Sequence, residues 1–247
     1  MPLTRYAPTP SGYLHAGNLV NFTLTRDLAV QVGADIALRI DDADAPRYRR
    51  EYVDDIFERL HQHDLEWQIG PRNTDDFERH WSQRGKIGAY RRALLDLMDA
   101  MPTYACACSR SVQHAVPTGG CLGGCHVMHL PLEAGRTALR VIVPTDTRIE
   151  VGGVVVDLAA EMGDFVVWRK DDLPAYQLVS VVEDRDLGTT HIVRGEDLLA
   201  SSAAQIFLAQ PLGAANVTYA TYVHHPLVLD EAGRKLSKSQ LAAEEQA

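Results

Sequence analysis

Apolar positions along this chain follow two spacings, and the spacing changes at recognisable breaks. Leu3 to Ala7 is a short run that meets Pro8-Thr9-Pro10-Ser11-Gly12, which cannot continue a ladder, so a strand is expected to turn there. A helix is expected from about Gly17 to Val32, with Gly33-Ala34 ending it. Asp35-Ile36-Ala37-Leu38-Arg39-Ile40 then reads as a second buried strand, closing on Asp41, Asp42 and Asp44. Strand, helix and strand in that order predict a β-α-β unit. From Arg49 to His63, Val53, Ile56, Phe57 and Leu60 recur at helical spacing, with charged residues on the other face.

Residues 76–100 carry a further helical pattern in Ala89, Ala93, Leu94, Leu97 and Met98, which Pro102 ends. Cysteines and the Thr118-Gly119-Gly120 segment then break the regularity, so an inserted subdomain is expected over about 76–165, with strands at Thr137–Val143 and Gly153–Leu158. Alternation over Phe165–Trp168, Tyr176 to Val182 and His191–Val193, followed by a helical stretch from Ser201 to Leu208, restores the α/β pattern.

Composition narrows the class. The 247 residues are 46% hydrophobic and 23% charged, which excludes a disordered or collagen-like chain and suits one elaborated domain with an insertion. The 33 acidic residues outnumber the 24 basic ones, and the net charge of −9 argues against a protein that coats polyanions. Any nucleic-acid contact is therefore expected to be local. Arg47, Arg49 and Arg50 stand among Asp42, Asp44, Glu51, Asp54 and Asp55, and read as a solvated helix start. No apolar stretch reaches the roughly 18 residues of a membrane span, and the N-terminus has no export pattern, so a soluble cytoplasmic protein without a membrane partner is expected.

Three constellations carry candidate chemistry. Pro8 to Asn18 is a strand-to-helix turn in which backbone N–H groups and the helix dipole favour a phosphate, with His15 as a donor and Gly17 allowing close approach. A plain strand-to-helix connection is the alternative reading of the same residues. Lys235-Leu236-Ser237-Lys238-Ser239 places two ammonium groups among small hydroxyl residues, which suits charge developing on phosphorus and on a departing pyrophosphate. The four cysteines, Cys106, Cys108, Cys121 and Cys125, all fall within 20 residues; if their thiolates converge they can hold a structural Zn²⁺ tetrahedrally. Two disulfides or unliganded thiols are the other options, and His126 and His129 are reserve ligands.

Thr4 to Asn18 resembles the "HIGH" region of class I glutamyl-tRNA synthetases, and Lys235 to Ser239 resembles their "KMSKS" loop. Arg39 to Asp44 and His191 to Leu199 are similar to further segments of that family, so the resemblance runs in order along essentially the whole chain. It implies a Rossmann-like catalytic domain, formed by residues 1–75 and 166–247, with an acceptor-end subdomain at 76–165 carrying a four-cysteine zinc site. It also implies an ATP-dependent ligase that activates glutamate as the adenylate and transfers it to RNA.

By the same resemblance His15, Gly17, Asn18 and Lys238 contact ATP, with Mg²⁺ accompanying the nucleotide, and His15, Lys235 and Lys238 serve catalysis. Arg5 and Arg194 take the carboxylates of the amino acid, Tyr176 its side-chain end, and Thr9 and Asp41 its amino group. Asp41 stands where the family usually has Glu, and Ser180 where many of its members carry Asn. The zinc site and the chain's end at Ala247, soon after the loop, resemble the family's short branch that acts on queuosine in tRNA(Asp), although this chain ends sooner than that branch and Cys121 stands where one ligand there is often Tyr. The expected partners are glutamate, ATP and a tRNA acceptor, bound by a monomer. A stand-alone ligase acting on a small molecule or carrier protein is the alternative, followed by a catalytically silent binding protein.

Overall fold

The computed structural model describes residues 1–44, 46, 48–109, 121 and 124–228. In chain order the elements are strand β1 (Leu3–Tyr6), helix α1 (Ala16–Val32), β2 (Asp35–Leu38), α2 (Arg50–Gln62), α3 (Ile87–Ala100), β3 (Thr103–Cys106), β4 (Ala138–Val141), β5 (Arg148–Val151), β6 (Val154–Asp157), β7 (Val166–Trp168), α4 (Tyr176–Leu187), β8 (His191–Gly195), α5 (Leu199–Ala209) and β9 (Thr221–His225). Short helical turns lie between them. They sort into two compact units: Met1–Lys86 with Thr189–Asp197 and the described chain from Ala220, and Ile87–Gly188 with Leu198–Tyr219.

The first unit is built on parallel strands. β1 pairs with β2 from Leu3↔Asp35 to Tyr6↔Leu38, and β8 pairs with β9 from His191↔Thr221 to Gly195↔His225. Thr190 N–H donates to Leu3 O at 2.9 Å, which lays β1 alongside β8. The expected β-α-β unit is present, and Gly33, at φ 64°, ends α1 in the left-handed conformation that only glycine adopts without a Cβ penalty. Helix α2 buries Val53, Ile56, Phe57 and Leu60 against Tyr6, Phe22, Leu38, Leu65 and Trp67. Each such side chain contributes about 1.5–3 kcal/mol when fully buried, so this face anchors the unit.

Residues 74–86 depart from the helical expectation that began at 76. Thr74–Asp76 is one turn, Phe77–Trp81 widens into a π-turn closed by Ser82 N–H to Phe77 O at 3.0 Å, and Gln83–Lys86 is a 3-10 turn. The α-helix begins only at Ile87, because Ser82, Gln83 and Arg84 are held by distant carboxylates rather than by the helical ladder. In α3 the buried face is Tyr90, Ala93, Leu94 and Leu97, while Met98 is exposed.

In the second unit β3, β4 and β7 form an antiparallel sheet and β5 and β6 a hairpin. The strands expected at Thr137–Val143 and Gly153–Leu158 are β4 and β6; β3 and β5 are additional. Tyr176 to Val182, expected to alternate, is instead the start of helix α4, in which every residue from Gln177 to Asp184 is buried. A helix packed on all sides loses the amphipathic period that identifies it. Its buried acid Glu183 is satisfied by Tyr90, whose hydroxyl donates to Oε1 at 2.6 Å. Among the described residues no helix is long and apolar enough to cross a membrane.

Candidate active site

The loop from Ala7 to His15 leaves the end of β1 and enters α1. Pro8, Pro10, Gly12 and Leu14 are buried and fix its path, while Thr9 is exposed. Leu14 N–H donates to Asp55 Oδ2 of α2 at 2.8 Å, and Tyr13 packs edge-on against Tyr52 with centroids 5.1 Å apart. His15 caps α1: its N–H donates to Asn18 Oδ1 at 3.1 Å, and Asn18 N–H donates back to His15 O at 2.8 Å. A Cβ at Gly17 would stand 3.0 Å from His15 Nδ1 and 3.1 Å from Cε1. Gly17 therefore lets the imidazole lie against the helix start. This brings His15, Gly17 and Asn18 together at the positive end of a 17-residue helix, an arrangement suited to phosphate oxygens.

Beside this loop stands a carboxylate cluster. Asp41 N–H donates to Pro8 O at 2.8 Å, which sets Asp41 next to Thr9. The Asp41 carboxylate takes the fork of Arg39, Nε to Oδ1 at 2.8 Å and Nη2 to Oδ2 at 3.0 Å, and also accepts Gln83 Nε2 at 2.8 Å. Asp42, with its side chain fully buried, accepts Ser82 Oγ, Gln83 N and Arg84 Nε at 2.6, 2.7 and 2.8 Å. Arg84 in turn lies 3.9 Å over the ring of Tyr48, whose hydroxyl donates to Glu78. Burial first, and then Glu78, hold the Tyr48 phenol protonated well above its usual range. Gln83 and Arg84 were not among the site residues read from the sequence, because contacts some 40 residues apart leave no local pattern; Arg39 was not among them either, although its partner is two residues away. Arg50 bonds Asp75 and Glu78, and Arg49 bonds backbone carbonyls, in keeping with a solvated helix start; Arg47 lies outside the described residues.

Arg5 in β1 and Arg194 in β8 are 3% and 5% exposed, on strands that run side by side. Arg194 is the register partner of His224, whose pKa is lowered to about 4 by burial first and then by the Arg194 charge. The His224 imidazole is therefore neutral near pH 7. Next along the chain, a Cβ at Gly195 would meet Asp197 Oδ1 at 2.6 Å. His225 Nδ1 is 2.8 Å from Pro226 O, and its Nε2 is 3.0 Å from Asn21 Nδ2. The neutral Nδ1–H tautomer satisfies both contacts, tying the end of β9 to α1. Lys235 and Lys238 lie outside the described residues.

In the second unit Tyr176 opens α4 and is 44% exposed, and Ser180, one turn on, is buried with its hydroxyl making no hydrogen bond among the described residues. The four cysteine Sγ atoms lie within 4.8 Å of one another. Cys108 Sγ is 3.5 Å from that of Cys121 and 3.8 Å from that of Cys125. All four are thiols, which answers the disulfide alternative. A tetrahedral Zn²⁺ with bonds of about 2.3 Å requires sulfurs about 3.8 Å apart, so the four side chains reach such an ion with shifts of about an ångström or less. His126 lies edge-on to Tyr104 and, like His129, is outside this cluster. Lys170 Nζ donates to Ala107 O at 2.7 Å, pinning the Cys106-Ala107-Cys108 turn.

The model of the catalytic domain of class I tRNA synthetases for Glu and Gln matches residues 3–112 and 127–246. The chain belongs to that family. It is thus a ligase of the aminoacyl-tRNA synthetase type with a mixed α/β class I catalytic fold. It is 35% identical to the Glutamyl-Q tRNA(Asp) synthetase of Methylococcus capsulatus over 240 residues, covering 95% of this chain and 74% of that one. To the protein of the same name from Dechloromonas aromatica it is 38% identical, covering 96% and 78%. Among solved structures, a glutamate-tRNA synthetase from Elizabethkingia anophelis superposes with a TM-score of 0.73 at 21% identity, over 98% of this chain and 53% of that one. That likeness concerns the fold, and the chain spans about half the length of that synthetase.

Proposed function

We propose that this synthetase activates glutamate with ATP and transfers the glutamyl group to the queuosine of tRNA(Asp). The observation that carries the reading is the similarity, along 95–96% of the chain, to relatives that bear the name Glutamyl-Q tRNA(Asp) synthetase. In the first step a glutamate carboxylate oxygen attacks the α-phosphorus of ATP. The new P–O bond forms as the bond to the β-phosphate oxygen breaks, giving glutamyl-adenylate and pyrophosphate. A hydroxyl of the acceptor then attacks the acyl carbon, AMP departs, and the hydroxyl proton passes to solvent or phosphate.

His15, Gly17 and Asn18 hold the ATP phosphates at the start of α1, and Lys235 and Lys238 stabilise the charge that develops on phosphorus and on pyrophosphate. Mg²⁺ travels with the nucleotide as its counterion. Arg5 and Arg194 bind the carboxylates of glutamate, where guanidinium forks match carboxylate geometry, Tyr176 meets the side-chain end, and Thr9 with Asp41 take the ammonium. Cys106, Cys108, Cys121 and Cys125 hold a structural zinc in the 76–165 segment, which we take as the acceptor-end insertion between catalytic halves 1–75 and 166–247. The enzyme acts as a monomer in the cytoplasm, where its tRNA substrate resides.

Amino-acid-dependent ATP–pyrophosphate exchange tests the first step, with glutamate and no tRNA expected to suffice. Labelled glutamate is then expected to pass to queuosine-containing tRNA(Asp) and not to the same tRNA lacking queuosine. Exchange with glutamate but no transfer to that tRNA would overturn the acceptor and favour a small-molecule or carrier-protein ligase. Absence of exchange with any amino acid would overturn the activation step itself.

A further inference from the structure

We propose that Gln83 is a positioning residue for the amino-acid ammonium, acting through Asp41; the inference rests on the reading of Asp41 as that ammonium's acceptor. Strand β2 ends at Leu38, and beyond it the backbone N–H of Arg39 donates to Tyr6 O and that of Asp41 to Pro8 O, bonds that hold the main chain and leave the Asp41 side chain to be set by other groups. Arg39, two residues away, sets the plane of the carboxylate through its fork but belongs to the same short stretch of chain. The Asp41 carboxylate has a long-range tie in Gln83, which is 1% exposed and uses both ends of its amide: Nε2 donates to Asp41 Oδ1 at 2.8 Å, and Oε1 accepts Ala43 N–H at 3.1 Å. Its own backbone N–H donates to Asp42 Oδ1 at 2.7 Å. One residue thus holds three consecutive positions of the 41–43 loop.

The backbone before it is shaped for this. The π-turn over Phe77–Trp81 adds a residue to the helical turn and delivers Ser82 and Gln83 to the carboxylates, whereas a regular helix would carry them past. The amide has one usable orientation. Flipped, its oxygen would face the Asp41 carboxylate and its NH₂ would face the Ala43 N–H. A side chain that fixes the rotamer of an acceptor without touching substrate should alter the binding of that substrate alone.

The test compares Gln83→Glu, Gln83→Met and Asp41→Asn by ATP–pyrophosphate exchange, reading KM for glutamate and for ATP separately. Gln83→Glu keeps the shape and the acceptor for Ala43 but turns the donor facing Asp41 into an acceptor. Gln83→Met keeps the volume without burying a charge, should the first variant fail to fold. We expect KM for glutamate to rise about tenfold, the worth of one hydrogen bond to a charged group, with KM for ATP within twofold of wild type. Equal rises in both constants would make Gln83 a structural residue and overturn the proposal. So would an unchanged KM for glutamate in a folded Gln83 variant while Asp41→Asn raises it. If Asp41→Asn leaves KM for glutamate unchanged, the ammonium reading of Asp41 falls and the inference falls with it.

Discussion

Replacing Asp42 by Asn tests whether the 82–84 corner is held by a charge or merely by shape. The Asp42 side chain is fully buried, Oδ1 takes the backbone N–H of Gln83, and Oδ2 takes Ser82 Oγ and Arg84 Nε. An Asn oriented to keep Gln83 puts an NH₂ where Oδ2 was. Ser82 can rotate its hydroxyl to accept, but Arg84 Nε–H then meets another donor. The loss is one charge-assisted hydrogen bond and a half-screened ion pair, with a buried N–H turned toward a cation, for about 2–4 kcal/mol. For a chain of this length each kcal/mol moves Tm by roughly 2–4 °C, so a fall of about 4–16 °C is expected by calorimetry or circular dichroism. Arg84→Ala, which leaves the carboxylate two of its donors and removes a side chain 36% exposed, should cost about 1 kcal/mol. An Asn variant that melts within about 1 °C of wild type would refute the reasoning, because the corner would then owe nothing to the charge.

Three other perturbations have defined outcomes. Gly17→Ala pushes a methyl against the His15 ring, and should slow ATP–pyrophosphate exchange by about tenfold or more while Tm stays within about 1 °C; an unchanged rate would separate His15 from the chemistry. His224 is held neutral in the fold with a pKa of about 4, while in the unfolded chain it takes a proton near 6.5. Folding stability should therefore fall as pH drops from about 6.5 towards 4, and His224→Gln should flatten that slope in melts at pH 7, 6 and 5; an identical slope would remove His224 as its source. Elemental analysis should find about one zinc per chain, and its chelation should raise amide exchange over residues 103–141 before residues 3–41; unchanged exchange together with unchanged thiol reactivity would rule the ion out.

What the sequence displayed was whatever depends on neighbours. The turn at Pro8–Gly12 and the apolar repeat of Val53, Ile56, Phe57 and Leu60 specify β1, α1, β2 and α2 within a residue or two. The convergence of the four cysteines was also legible, since their spacing is itself the signal. Helix α4 was not, because burial from Gln177 to Asp184 removes the polar face that marks a helix, and its buried Glu183 is satisfied 93 residues away at Tyr90. Residues 74–86 kept a helical composition, yet Asp41 and Asp42 draw Ser82, Gln83 and Arg84 out of the helical ladder. A contest between a local propensity of tenths of a kcal/mol and hydrogen bonds to buried charges is decided by the latter, and only the folded chain displays it.

The same contest bears on how Asp41 could recognise an ammonium. A lone carboxylate attracts any cation, but this one already carries the Arg39 fork and the Gln83 amide, with its side chain 12% exposed. Its selectivity must then come from direction more than from net charge, which is why residues that fix its rotamer matter. With Asp41 already paired to Arg39, the two further guanidiniums of the proposed amino-acid site, Arg5 and Arg194, are the positive groups proposed to meet the ligand. Two such groups complement a ligand with two carboxylates and disfavour a neutral side chain, which would exchange a charge-assisted hydrogen bond for a neutral one at a cost of about 1 kcal/mol or more. Charge alone would accept aspartate as readily as glutamate. The choice between them therefore falls to length, set by how far Asp41 reaches and by how firmly Gln83 and Arg39 hold it there.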